Sequence, residues 1–404
     1  MTAFKDLTSS FGPLGLTAFG GPTAHLGYFR EVFVKRRGWL SEESYADTVA
    51  LAQFLPGPAS SQVGQAIGYF RGGWLGLIYS WFLFTAPSAI LLTIAGLALS
   101  QSNIDVSGTG WIAGLLACAV GVVAHAVLGM ARKLLTSPLT WVIAIVTLAV
   151  LVLFSAAFLH IAIIVAAAII GIIFLSPRTA GNTTTPDDKG KSAGTTPEAS
   201  FVTRTVSGRA AIISLAVFML GLVGLWAGAA LIGGWFFTRA NAFFQAGALV
   251  FGGGHVVLPL LEGHFVHSGW LEQSEFIAGY SLAQAVPGPL FTFASYVGAV
   301  DAGIGGAVFG TIMIFLPGAL LMIAGLHFWQ KWQNSPTLRG AFTAVNAAVV
   351  GILAAALWDP IITHGVNGIG SIVLAAASFA ALSWGKIPPW TIAAFAIIYG
   401  AVFL

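Results

Sequence analysis

Two short stretches set hydroxyl and amide side chains beside a broken backbone. Pro56-Gly57-Pro58 is preceded by Gln53 and followed by Ala59, Ser60, Ser61 and Gln62; Pro287-Gly288-Pro289 is preceded by Gln284 and followed by Leu290, Phe291 and Thr292, with Ser295 one turn on. Proline removes a backbone donor and clashes with the preceding turn, and it biases the residue before it away from helix. Each tripeptide therefore stops one apolar helix and lets another begin. With Gly57 as N-cap and Pro58 as the first helical residue, where proline is favoured, the N–H groups of Ala59, Ser60 and Ser61 have no acceptor. Leu290, Phe291 and Thr292 take that role after Gly288-Pro289. Phe19-Gly20-Gly21-Pro22 and Phe251-Gly252-Gly253-Gly254 read as two further helix starts, with Thr23, His25 and His255 close by. A helix N-terminus offers free donors and about half a positive charge, which suits an anion. Several such ends meeting at one level would hold an oxyanion through neutral donors. The plainer reading is a kinked helix healed by Ser and Thr.

The elements that position these residues are apolar. Of 404 residues, 57% are hydrophobic and 8% charged, against about 25% charged in a soluble domain. The mean hydropathy is +0.90. Apolar runs cover 74–99, 111–131, 139–175, 210–235, 303–327, 340–358 and 369–404. A bilayer span needs about 20 residues, so 139–175 and 369–404 each predict two helices and a tight turn. The runs do not alternate, which excludes a transmembrane β-barrel. The fold class expected is an all-α integral membrane protein. Lys5, followed by Asp6, Thr8, Ser9 and Ser10, does not open a cleavable signal peptide. Cys118 falls inside a predicted span and is the single cysteine, so no intrachain disulfide forms.

The chain repeats itself. An offset of 231 carries Gly38-Trp39-Leu40 onto Gly269-Trp270-Leu271, Glu31 onto Glu262, Gln53 onto Gln284 and Pro56-Gly57-Pro58 onto Pro287-Gly288-Pro289. Matched Trp, Gln, Glu and Pro-Gly-Pro at one spacing mark a duplication. Four segments follow: an N-terminal repeat over 1–176, a polar linker over 177–209, a connecting span over 210–235 and a C-terminal repeat over 236–404. The linker, rich in Thr, Gly, Asp and Lys, cannot bury a core. Positive charge sets topology. If the Phe-Gly-Gly and Pro-Gly-Pro elements are re-entrant, every Lys and Arg except Arg239 is cytoplasmic, Lys386 included, and the 262–275 loop is outside. The connecting span then inverts the second repeat relative to the first, with the N-terminus inside and the C-terminus outside. Cytoplasmic Lys and Arg account for the pI of about 9.1, so no nucleic-acid partner is called for.

Asp47, Asp105, Asp301 and Asp359 sit near element ends, and this scarcity of intramembrane acids favours an anion over a cation. Glu31 and Glu262 are repeat partners that could accept protons or pair with Arg30 and its basic neighbours. His25 and His255 could titrate or serve as polar packing. Arg71 could draw an anion to the cytoplasmic mouth or simply follow the topology. His264 and His267 have a metal-like spacing, but no further clustered ligand accompanies them, so no metal is expected. The absence of a G-x-x-x-x-G-K-S/T motif leaves ATP drive unsupported.

The pattern FGGP-x-AH…RR-x-WLS…LAQ-x-LPGP in the first half, and FGGG-x-VVLPLL…GW…LAQAVPGPLFTFA…FLPG in the second, resembles the chromate ion transporter family in its long, two-domain form. The resemblance covers both halves and stops at the linker; Ser41 becoming Glu272 is a small departure. It implies a multi-pass exporter in the bacterial inner membrane that moves chromate out of the cytoplasm on the proton motive force and gives chromate resistance, with no cofactor and no enzymatic activity. Sulfate is the natural isostere, and an uncoupled anion channel is the reading from another class. The partners expected are the oxyanion and the lipid bilayer, with a homodimer left open.

Overall fold

A computed structural model describes residues 2–19, 21–101, 110–154, 158–175, 205–251, 254–333, 335–385, 387 and 389–404. Gly20, Gly252, Gly253, Asp105, Lys386 and nearly all of the linker lie outside the described residues. Every regular element among those described is helical. In the first half these are α1 (Thr2–Thr17), α2 (Gly21–Phe29, continued by a π-helical stretch Arg30–Arg36), α3 (Glu42–Phe54), α4 (Ala59–Gln101), α5 (Gly110–Leu134), α6 (Pro138–Leu153) and α7 (Phe158–Ile170, continued to Leu175). Helix α8 (Gly208–Leu231) connects to α9 (Gly234–Leu249), α10 (Val257–Phe265), α11 (Gln273–Ala285), α12 (Phe293–Gln333), α13 (Pro336–Ala356), the single turn α14 (Thr363–Gly365), α15 (Ile369–Ala380) and α16 (Pro389–Phe403). The duplication is visible in this order, with α9–α13 repeating α1–α5.

Local chemistry explains the starts. The Ser41 hydroxyl caps α3 by accepting from the Ser44 N–H at 3.0 Å, ahead of Glu42 and Glu43 in the first turn. Ser137 and Thr140 form a capping box on α6 with Pro138 at its first position, and on α13 the Ser335 hydroxyl accepts from the Leu338 N–H ahead of Pro336. The connecting span differs from its expected bounds: α8 ends at Leu231, and Trp235 belongs to α9. Gly233 and Gly234 have φ of 68° and 76°, a left-handed geometry that stops a helix and that glycine tolerates best.

Five helical stretches are long and apolar enough to cross a membrane, namely Ala59–Ser100, Gly110–Leu134, Gly208–Leu231, Leu290–Trp329 and Pro336–Gly365. Two of them double back. In α4 the turn is at Gly73, with φ 62° and ψ −147°, and the Ser80 hydroxyl donates to the Gly64 carbonyl at 3.1 Å. A straight helix would hold residues that far apart in sequence about 24 Å from each other, so the two arms lie side by side. The same reversal occurs in α12 at Ala302-Gly303, where Gly298 and Gly306 are backbone neighbours.

The two sequence halves interdigitate. The long arms of α4 and α12 pair at the centre, α5 lies against α15 and α16, and α13 lies against α6 and α7. Close approach depends on small residues, as membrane helices require. A Cβ at Gly114 would sit 3.0 Å from the Gly400 Cα, and one at Gly351 would sit 2.7 Å from the Thr147 Cβ. Leu, Ile, Phe and Trp side chains on α4, α6, α7, α8 and α16 are exposed, an outer surface suited to lipid and far larger than a soluble protein shows.

Candidate anion site at the crossed helix breaks

Both Pro-Gly-Pro elements break the backbone where the spacing predicts. Helix α3 stops at Phe54 and α4 starts at Ala59; α11 stops at Ala285 and a 3-10 turn, Leu290–Thr292, leads into α12. The restart falls one residue later than expected. The Pro58 carbonyl accepts from the Gln62 N–H at 2.9 Å, which makes Pro58 the N-cap, and Pro289, with ψ of 133°, is the N-cap of the second copy. Proline fixes φ but leaves ψ free to stay extended, so it caps rather than enters the helix. The first three N–H groups remain those of Ala59, Ser60 and Ser61.

Each break is held by the other repeat. The Gly57 N–H donates to the Val250 carbonyl at 2.8 Å, and the Gly288 N–H donates to the Ala18 carbonyl at 2.9 Å. Both acceptors lie just before a Phe-Gly-Gly element, so each Pro-Gly-Pro tip docks onto the opposite repeat's second break. Gly57 and Gly288 have φ of 122° and 111°. A Cβ at Gly57 would come within 3.1 Å of the Gly318 Cα, and one at Gly288 within 2.6 Å of the Ser88 hydroxyl. Ser88 follows Pro87 in α4 and Gly318 follows Pro317 in α12, so these contacts are exchanged symmetrically too. Gln62 braces the first tip: its Nε2 donates to the Pro56 carbonyl at 2.9 Å and to the Gly318 carbonyl at 3.1 Å. Gly254 lies against Leu290 and Pro22, which brings the Phe-Gly-Gly elements into the same centre.

The donors divide unevenly between the repeats. In the first, Ser60 and Ser61 are both 2% exposed. The Ser60 hydroxyl lies 3.3 Å from His25 Nδ1, and His25 Nε2 lies 3.0 Å from the Ala18 carbonyl. That second contact places the ring proton on Nε2. Ser61 Oγ has no partner, although a buried hydroxyl normally has one. In the second repeat the Thr292 hydroxyl and N–H both turn back onto the Pro289 carbonyl, at 2.7 and 3.0 Å. Ser295 donates to Ala89 and Thr292 carbonyls. The donors expected at Thr292 are therefore already satisfied, because the first turn of α12 is 3-10 and closes i to i+3. Phe291 is buried, with its ring 5.8 Å from Phe315.

Of the remaining expected residues, Gly21 opens α2 with φ of 73° and Thr23 follows in its first turn. Gln284 Nε2 lies 3.1 Å from His255 Nδ1, which is also 2.8 Å from the Tyr280 hydroxyl. Its repeat partner Gln53 is exposed on α3. Arg30 pairs with Glu42 at 2.8 Å, not with Glu31. Glu31 instead meets Lys35 and Arg36, and the Arg36 hydrogen bond holds its carboxyl below the usual carboxylate range. Arg71 is bound to Asp6 at 2.8 Å and stacks 4.6 Å over Trp39. Glu262 is buried and accepts from Gln273 Nε2 at 3.2 Å.

One feature escaped the sequence reading. Arg239 pairs with Asp301 at 2.8 Å and stacks 3.5 Å over Trp270. Trp270 is the repeat partner of Trp39, so this triad is the second copy of Asp6–Arg71–Trp39 with acid and base exchanged between helices. The exchange hid it, since no like residue aligns with Arg71 or Asp6. Arg239, the one cation that the charge count expects outside, is thus paired with a carboxylate.

Residues 5–172 and 237–401 match the family model described as Chromate transporter. The chain is 28% identical to the "Probable chromate transport protein" of Synechococcus elongatus over 88% of this chain and 84% of that protein. It is 26% identical to the "Chromate transport protein" of Pseudomonas aeruginosa over 88% of this chain and 81% of that one. A shorter relative, the "Uncharacterized transporter YwrA" of Bacillus subtilis, is 32% identical over 40% of this chain and 94% of its own length. No solved structure matches the chain.

Proposed function

The chain belongs to the chromate transporter family, and from that premise we propose that it is a secondary active transporter exporting chromate from the cytoplasm, driven by the proton motive force, and so conferring chromate resistance. The observation that carries the reading is the pair of helix breaks, each docked by a glycine N–H onto the opposite repeat, with the buried Ser61 hydroxyl left unpartnered beside them. Binding sites of secondary transporters form where discontinuous helices from two repeats meet, and helix N-termini there take anionic groups. Chromate, a tetrahedral dianion, would lie at the start of α4, against the N–H groups of Ala59, Ser60 and Ser61, the Ser61 hydroxyl and the His25–Ser60 pair. Gly57, Gly288 and Gln62 hold the tips, and His255 with Gln284 borders them from the second repeat.

The repeats are read as inverted, with the Pro-Gly-Pro elements re-entrant from opposite faces. The recurrence of the Asp6–Arg71 pair as Arg239–Asp301 supports this, because inversion would set the repeated arrangement on both sides of a protein whose cations otherwise gather on one. The membrane is the bacterial inner membrane, with the N-terminus cytoplasmic and the C-terminus outside. Rocking of one repeat against the other around the fixed site would expose it alternately.

Uptake into everted vesicles tests the reading. Labelled chromate should accumulate on energisation and stop on addition of a protonophore. Accumulation that excess sulfate abolishes would make sulfate the ordinary cargo, and uptake indifferent to the protonophore would make the protein a channel.

A further inference from the structure

A cavity of about 190 Å³ lies apart from the crossed breaks, where the C-terminal ends of α6 and α13 and the N-terminal end of α7 converge on α10. Glu262 of α10 lines it together with Asp359, His160, His267 and His364, and among the described residues no lysine or arginine lines it. Glu262 is 6% exposed, and one neutral amide, Gln273 Nε2 at 3.2 Å, reaches its carboxyl oxygen. A carboxylate buried without a cation is unfavourable, and taking up a proton relieves the cost. The charged and titratable groups around it are one further acid, Asp359, and the three histidines of the lining. His264 of the same helix turns instead to a separate small cleft beside His160 and Gln245.

Position adds a second argument. The opposite ends of α6 and α13 adjoin Arg132-Lys133 and Arg339, so the positive-inside bias sets the cavity at the outer face, the side from which a proton gradient delivers protons. Helix α10 links the cavity to the breaks. Its approach turn, Gly254–Val256, carries His255, and Glu262 lies eight positions beyond Gly254, about 12 Å along a helix.

We propose that Glu262 is the proton-binding residue of the transport cycle and that this cavity is its outward-facing vestibule. In the step, a hydronium ion of the cavity water gives its proton to the Glu262 carboxylate, leaving water and a neutral acid. The same O–H bond breaks to an inward-facing water after the repeats rock. Neutralising the acid at one end of α10 favours one arrangement of the break at the other. The proposal rests on the proton-coupled reading above.

The test uses the full-length protein in proteoliposomes and the variant Glu262→Gln, which keeps the shape of the protonated acid. Labelled chromate counterflow, which needs no net proton movement, should stay within about twofold of the parent, while accumulation driven by a pH gradient falls at least about tenfold and loses its pH dependence, a loss within the usual range of coupling between linked sites. Retained accumulation with the parent's pH profile overturns the proposal, and so does loss of counterflow together with accumulation, which marks a structural role. Absence of oxyanion counterflow in the parent protein is a failure of the transport reading, and labelling then decides on its own. Dicyclohexylcarbodiimide reacts with protonated carboxyls in apolar surroundings. An adduct on Glu262 that declines as pH rises, seen by mass spectrometry, supports the proton site, and its absence overturns it.

Discussion

The two repeats carry matching parts and use them differently. Each has a Trp-stacked arginine paired with an aspartate, a Pro-Gly-Pro tip docked on the other repeat, and a glutamate past its Phe-Gly-Gly element. In the first repeat the glutamate is exposed between Lys35 and Arg36, while the start of α4 keeps an unpartnered hydroxyl at Ser61. In the second the glutamate is buried with one neutral donor, while Thr292 spends its hydroxyl and N–H on Pro289. A duplicated scaffold thus supplies two matching frames with different polar groups left over, an unpartnered hydroxyl in one and a buried acid in the other, and the proposed roles, anion donor and proton carrier, divide along that line.

What the repeats share should break most severely. Gly57→Val and Gly288→Val each put a side chain into a left-handed position with backbone or Ser88 in contact distance. Both variants should reach the membrane and fail to transport chromate. Resistance at the parent level in either would show that its tip does not need the docked geometry.

The next contrast is between the two ion-pair triads. Arg239 and Asp301 side chains are 14% and 5% exposed, against 37% and 36% for Arg71 and Asp6. Asp301→Ala strands a buried guanidinium and should cost about 3–5 kcal/mol, whereas Asp6→Ala should cost about 1 kcal/mol or less. Unfolding in mixed detergent measures both. Equal losses would mean that the second triad is as open to solvent as the first.

Much of this architecture could be read in the sequence, for identifiable reasons. Bilayer thickness forces long apolar runs, so the apolar helices emerged to within a few residues, although those in 139–175 and 369–404 are only 10–17 residues long, and Pro-Gly-Pro has one local meaning in such a run. The places that were not legible depend on contacts distant in sequence. Nothing local reveals that Gly57 seeks Val250 or that Gln62 spans to Gly318. The difference between Glu31 and Glu262 was equally hidden, because identical residues at matched positions differ only in what folds over them. The restart at Pro58 missed by one residue since N-cap and first-turn proline share a φ and differ in ψ.

The donor asymmetry predicts a smaller, graded effect. A hydrogen bond to a charged group is worth about 1.5–3 kcal/mol, so Ser61→Ala should raise the KM for chromate by at least about tenfold. Thr292→Val removes a hydroxyl already committed to its own turn, and its KM should stay within about twofold. Transport assays of the two variants side by side would reverse the assignment of the donor-bearing repeat if Thr292→Val proved the worse.

Glu31→Gln should have the least effect of all, and its smallness is informative. The Arg36 hydrogen bond holds the Glu31 carboxyl below its ordinary pKa, so the stability it contributes is complete above the unfolded carboxylate pKa of about 4.3 and is lost only as pH falls through the lower folded value. Between about pH 6 and 8 the group stays ionised, unable to carry a proton through a transport cycle. Glu31→Gln should therefore keep both the rate of pH-driven chromate accumulation and its pH profile, even though it removes the residue that the duplication pairs with Glu262. A changed profile in Glu31→Gln would place proton binding in the first repeat and undo the separation of roles between the halves.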